Sequence, residues 1–320
     1  ISPSEYFVIV KKSNKKTIEV LLPEATVVDS DGNDNRESNL LLVDFDPNLN
    51  LQLDPEVFRL SLTSGVPQPI PLEPGQFVNP VVFATVQHDD PTIPMHAQVS
   101  DVSSSEFTVT VQRLDGLKDP VSDVMVHTVI LETGTYNNKS TGIKMEVGTT
   151  LVNNVSGKIN GYSGGKTVQL LKNYNDAVVI GQVQTANSSN PGEFWSRLDD
   201  QGFLTVGHHV GELPSPLNDG EETVAYAVVE AGKGVFEDTR WEAANFTTDS
   251  SGATVDVIRN INSSVNIVVS QHDMVDPDGS IPVIESTTRD TLTVRLLEDK
   301  LGDSEMDHGE EKAGFLLIKQ

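Results

Sequence analysis

Between Glu298 and Glu311 the chain concentrates carboxylates, among them Glu298, Asp299, Asp303, Asp307 and Glu310, with His308 in their midst. Like charges so dense repel unless a cation or salt screens them, and carboxylate oxygens suit a hard cation. Glu298, Asp299 and Asp307 are therefore candidate calcium ligands, with a mobile surface loop as the competing reading. A second oxygen-rich stretch, DSDGNDN, sets Asp29, Asp31 and Asn33 close together and is a second calcium candidate. Its Gly32 stands at the fourth position, not the sixth that an EF-hand loop requires, so an Asp-Gly hairpin tip is the competing reading. The turn DPDG, Asp276 to Gly279, has the same two readings.

Imidazole and carboxylate recur together as His88 with Asp89 and as His272 with Asp273, each pair at the polar tip of an apolar run. Such a pair could contact a ligand, but Thr185 and Ala186 stand there in a third, related stretch. A role common to all three cannot rest on it. GYSGGKT from Gly161 has the letters of a nucleophile elbow and nearly those of a P-loop, yet TVQLL follows it, a strand where either motif needs a helix. No nucleophile, acid and base fall in one recognisable motif, and the protein is expected not to be an enzyme.

The elements that position these residues are strands. Short runs such as EFTVTVQR, VHTVILET and DTLTVRLL are rich in Val, Ile, Leu and Thr and are separated by Asn, Asp, Gly, Pro and Ser, while helical periodicity is scarce. Many alternate apolar with polar, which puts one face on a core and leaves the other wet. An all-β fold of tandem antiparallel β-sandwich domains is expected. Three features recur in order: an opening strand ending at Gln87, Gln184 and Gln271; an alternating strand at Phe107, Phe203 and Leu292; and a closing strand ending at Glu132, Glu230 and Lys319. Their offsets are 97, 96 and 98, then 87, 89 and 89 residues, the signature of an internal repeat. The expected division is a small N-terminal β domain or strand-donating segment over 1–65, then modules over 66–136, 137–234 and 235–320.

With 47 acidic against 22 basic residues in 320, the net charge is -25. Nucleic acid is excluded as a partner over most of the surface, and a saline, extracellular or cell-surface setting is expected. There is no cysteine, so disulfides and thiolate chemistry are excluded. No run of 18 apolar residues occurs, so membrane insertion by a helix is not expected. Opening on Ile1 without Met, the chain reads as a processed or excised piece. Five sequons, at Asn138, Asn154, Asn187, Asn245 and Asn262, are candidate glycan acceptors, each expected in a turn or at a strand end.

The opening Pro80, Val81 and Val82, the spacing of Val99, Val102, Ser103 and Phe107, and the closing strand that ends in Glu132 together resemble the H-type lectin module of snail agglutinins and discoidins, and related tandem modules of secreted bacterial proteins. The resemblance spans roughly 66–320 and implies a small antiparallel sandwich, assembly as homo-oligomers and sugar binding. It implies that Asp90 matches an acidic sugar contact, with Asp89 beside it, and that His208 and His209 lie nearest the place of a Trp-His pair. The third copy looks more like the bacterial tandem type, which implies attachment or scaffolding. The expected function is non-enzymatic extracellular adhesion or structure, as a subunit of a cell-surface or filamentous assembly, with glycans or neighbouring copies as partners. The alternative is a lectin module attached to a polysaccharide-degrading enzyme.

Overall fold

The computed structural model describes residues 17–20, 41–44, 54–137, 142–153, 155–158, 161–188, 192–212, 220–236, 239–257, 261 and 264–320. Among them every regular element is a strand and the sheets are mostly antiparallel, so the protein is all-β. No helix among the described residues is long and apolar enough to cross a membrane. The chain forms two compact units, Ile1–Asn50 and Leu51–Gln320. In the first, β1 (Thr17–Val20) pairs antiparallel with β2 (Leu41–Asp44). Asp29, Asp31 and Asn33 lie outside the described residues.

One strand order occurs three times in the second unit. First come β3 (Glu56–Leu62), β4 (Gln68–Pro71), β5 (Pro80–Gln87), β6 (Met95–Ser100), β7 (Glu106–Arg113) and β8 (Val124–Glu132), in sheets ordered β5-β8-β3 and β4-β7-β6. Beyond β9 (Gly134–Asn137) follow β10 (Lys144–Val152), the two-residue β11 (Val155–Ser156), β12 (Lys166–Gln169), β13 (Ala177–Val183), β14 (Glu193–Leu198), β15 (Phe203–His209) and β16 (Glu222–Glu230). They are ordered β13-β16-β10 and β12-β15-β14. Beyond β17 (Gly232–Phe236), the strands β18 (Thr239–Thr248), β19 (Ala253–Asp256), β20 (Val265–Gln271), β21 (Ile281–Thr287), β22 (Thr291–Leu297) and β23 (Glu311–Lys319) are ordered β20-β23-β18 and β19-β22-β21. The first repeat thus starts before residue 66: β3 runs along β8, with Glu56 opposite Ile130 and Leu62 opposite Val124. In that ladder Leu62 is buried and Phe58 and Leu60 are half-buried against the first repeat's interior.

Each repeat encloses its own apolar interior, centred on Phe107 and Val126 in the first, Leu204 and Val228 in the second, and Leu292 and Phe315 in the third. A fourth interior belongs to all three repeats at once. Ladder register makes Phe83, Ile180 and Val268 equivalent, likewise Val129, Ala227 and Leu316, and Leu131, Val229 and Ile318, and all nine lie in this shared core. Within a level the sizes compensate, Leu316 answering Ala227 and Phe83 answering Val268, as close packing in an interior requires. The opening and closing strands therefore bury both faces, and their sequences read as near-continuous apolar runs where β7 and β22 alternate.

β5, β13 and β20 are all sheet edges of their own repeats, and an unpaired edge must be covered. Here they cover one another in a closed ring. Thr85 Oγ1 accepts from Val269 N at 2.9 Å and lies 3.4 Å from Val269 O. Ser270 Oγ accepts from Gly181 N at 2.9 Å and donates to Gly181 O at 3.1 Å. Gln182 Oε1 accepts from Ala84 N at 3.2 Å. By ladder register Thr85, Gln182 and Ser270 are the same position in the three repeats. A parallel bridge of Gln87 to Ile284 joins the first repeat directly to the third. Thr85→Val keeps the shape but orphans the Val269 amide, so stability is expected to fall by about 1–3 kcal/mol; an unchanged urea midpoint would rule the ring contact out as a stabilising one.

Candidate functional site

Two grooves follow the seams between repeats. One is bounded by Val78–Pro80, the turn Ser100–Ser104 and the segment Gln184–Asn187. The other is bounded by Asn173–Ala177, Leu198, Asp199, Asp200 and Gly202, and by His272, Asp273 and Lys312. These are corresponding parts: the start of an opening strand, a turn of the same repeat, and the end of the next repeat's opening strand. The recurring polar tips mark the seams. The repeated closing glutamates are structural, since Glu132 accepts from Val78 N and Asn79 N at 2.7 and 2.8 Å, and Glu230 from Asn175 N and Asp176 N at 3.0 and 2.8 Å.

The two His-Asp pairs have different surroundings. Asp89 is exposed. Asp90 accepts from Thr92 Oγ1 and Thr92 N at 2.6 and 2.9 Å, and these bonds hold its carboxyl below the usual range. His272 is buried between Asp273 and Asn245, with Nε2 2.9 Å from Asn245 Oδ1. Burial alone would raise the Asp273 carboxyl, but bonds from His272, Leu198 N and Lys312 bring it well down. Of the sequons, Asn187 is exposed, with Nδ2 donating to Glu221 O at 2.6 Å. Asn245 lies inside β18, not at a strand end, and its Nδ2 donates to Asp176 Oδ1 and Ala177 O at 2.7 and 3.0 Å. A glycan there would break that lattice. Asn138, Asn154 and Asn262 lie outside the described residues.

His208 and His209 are 1% and 0% exposed, so they do not share an accessible surface with Asp89 and Asp90. They belong instead to a buried cluster at the seam of the second and third repeats, and Glu298 and Asp299 lie in the same place. β15 ends in His208 and His209 and leads into Glu212; β14 begins with Glu193; β22 runs out into Glu298 and Asp299; DPDG supplies Asp278. Glu193, Glu212, Glu298, Asp299 and Glu311 are each 3% exposed or less. A ligand oxygen from each of Glu212, Asp278 and Glu298 lies within 4.8 Å of the others.

Close approach is built into the backbone. A Cβ on Gly279 would lie 2.4 Å from His209 Nδ1 and 2.7 Å from Glu193 Oε2. Gly211, at φ +65°, would set one 1.6 Å from Asp299 Oδ2, so glycine is needed there for both space and conformation. Several contacts fix the carboxylates. His308 Nδ1 is 2.8 Å from Glu298 Oε1, Glu212 N donates to Asp299 Oδ2 at 2.8 Å, and Lys158 Nζ pairs with Glu212 Oε2 and reaches Asp303 at 3.2 Å. Glu311 is held by Val275 N at 2.8 Å and by Asp276 N. Burial, then the charges of Asp299, Glu298 and Glu212, pushes the Glu193 carboxyl well above the carboxylate range. Burial also raises Glu298, Asp299 and Glu212, and lowers the His209 imidazole to about 4.

Asp307 is exposed and stands apart from the triad of carboxylates, 3.4 Å from Ser250 Oγ. Glu193 and Glu212 escape sequence reading because each is an isolated acid in a segment with no acidic motif; Asp278 was legible as part of DPDG. Such a set of oxygens can hold a divalent cation, with imidazole nitrogens at its margin. Compared with family models, with curated proteins and with solved structures, the chain matches none.

Proposed function

We infer that the chain is a non-enzymatic adhesion or structural protein that works outside the cell, as a subunit of a cell-surface or filamentous assembly. The observation that carries this reading is the shared core, which ties three like repeats into one body. Corresponding grooves then recur within that body, and repeated weak contacts multiply through effective concentration. The strongly acidic composition suits a saline exterior. Neighbouring copies of the chain are the first partner class.

A second reading, a lectin module attached to a polysaccharide-degrading enzyme, is favoured by the groove of the first and second repeats. Hydroxyl and amide groups of Ser100, Ser103, Ser104, Thr185 and Asn187 line it, the donors and acceptors that sugars use. Electron microscopy of the concentrated chain, with co-sedimentation on cell-envelope fractions and a glycan array, separates the readings. Regular arrays or envelope retention are the expected result. Glycan binding lost in Asn187→Ala would favour the lectin, and a persistent monomer that binds no envelope and no glycan would contradict both.

A further inference from the structure

We propose that Glu212, Asp278 and Glu298 bind one hard divalent cation of the calcium class, which latches the second repeat to the third. The three ligand oxygens lie within 4.8 Å of one another, a spacing that one ion bridges at ordinary oxygen-ligand distances. Glu212 comes from the second repeat, just after β15, whereas Asp278 and Glu298 come from the third, after β20 and β22.

Two further observations point to a ligand. Glu212 is 2% exposed, and although Lys158 takes its Oε2, its Oε1 has no hydrogen-bond partner among the described residues. Glu193, 3% exposed, likewise has an unpartnered Oε2, turned toward Gly279 beside Asp278. A buried carboxylate oxygen left bare is strongly unfavourable unless a proton or a cation compensates it. The groups around the triad already hold it in shape. His308 anchors Glu298, Asp276 Oδ1 accepts from Asp278 N at 3.2 Å, and Tyr162 donates to Asp278 O at 2.7 Å. The latch extends the reading given above without depending on it, since a catalyst could use the same bridge.

The test uses the full chain stripped with chelator, then titrated with Ca2+ by calorimetry and followed by thermal melting. One ion per chain is expected, with a rise in Tm of about 5–10 °C at a hundredfold excess over Kd. Asp278→Asn and Glu298→Gln are expected to weaken Ca2+ by at least about tenfold, a loss of roughly 1.4 kcal/mol. Asp307→Asn, in the same acidic loop but outside the triad, is expected to leave binding unchanged. No Tm response to Ca2+ would overturn the latch. So would binding lost in Asp307→Asn but kept in Asp278→Asn, and a response to Zn2+ alone would overturn the oxygen-ligand assignment.

Discussion

Replacing Phe83 with alanine is expected to lower the stability of residues 51–320 by about 3–5 kcal/mol, the usual range for losing a buried phenylalanine. Phe83 is fully buried and sits in the shared core opposite Ile180 and Val268. Its loss opens a void onto all three repeats, not one. The two tryptophans make this measurable, because Trp195 lies in the second repeat and Trp241 in the third. Their fluorescence in a urea titration is expected to show one transition, shifted as a whole. A separate early transition in far-UV circular dichroism that leaves the fluorescence of both tryptophans native would mean that the first repeat melts alone.

The second large effect is one of pH. His127, 0% exposed, sits on β8; its Nδ1 accepts from Ile267 N of the third repeat at 3.3 Å, and its Nε2 is 2.8 Å from Gln87 Oε1. Accepting at Nδ1 requires the neutral ring with its proton on Nε2. Burial, then the nearby Arg59 charge, lowers its pKa to about 3. The unfolded imidazole, near 6.5, takes up a proton that the folded one refuses, so stability falls as pH drops from about 6.5 toward 3. At pH 5 this group alone removes about 2 kcal/mol. Glu193, Glu298 and Asp299, with raised folded values, act in the opposite sense, because the folded chain binds their protons first. The variant isolates the histidine: His127→Gln is expected to have an acid limb shallower by up to about 1.4 kcal/mol per pH unit between pH 6 and 4. Parallel limbs for the two proteins would rule out the buried neutral ring.

The strand content and the thrice-repeated order were legible in the sequence because strand, turn and apolar run alternate so regularly. What failed was register by single residues. Phe203 is 39% exposed, and Leu204 takes the buried place held by Phe107 and Leu292. Likewise His272, not Gln271, stands in ladder register with Gln87 and Gln184. A slip of one residue exchanges the two faces of a strand, and similarity of letters does not fix it. The shared core was hidden for a related reason: a strand buried on both faces and one buried on a single face can contain the same residues. Half of the acidic cluster was visible as the run after Leu297. Asp278 was visible within DPDG, whereas Glu193 at the start of β14 and Glu212 just after β15 join them only through the packing of the second repeat on the third.

That the three repeats fold as one body is tested most directly by hydrogen exchange with mass spectrometry on the full chain across rising denaturant. The amides of β5, β13 and β20, whose edges cover one another, are predicted to open together with a single free energy and a single denaturant dependence. Exchange of one of these strands at clearly lower denaturant, while the other two stay protected, would contradict it.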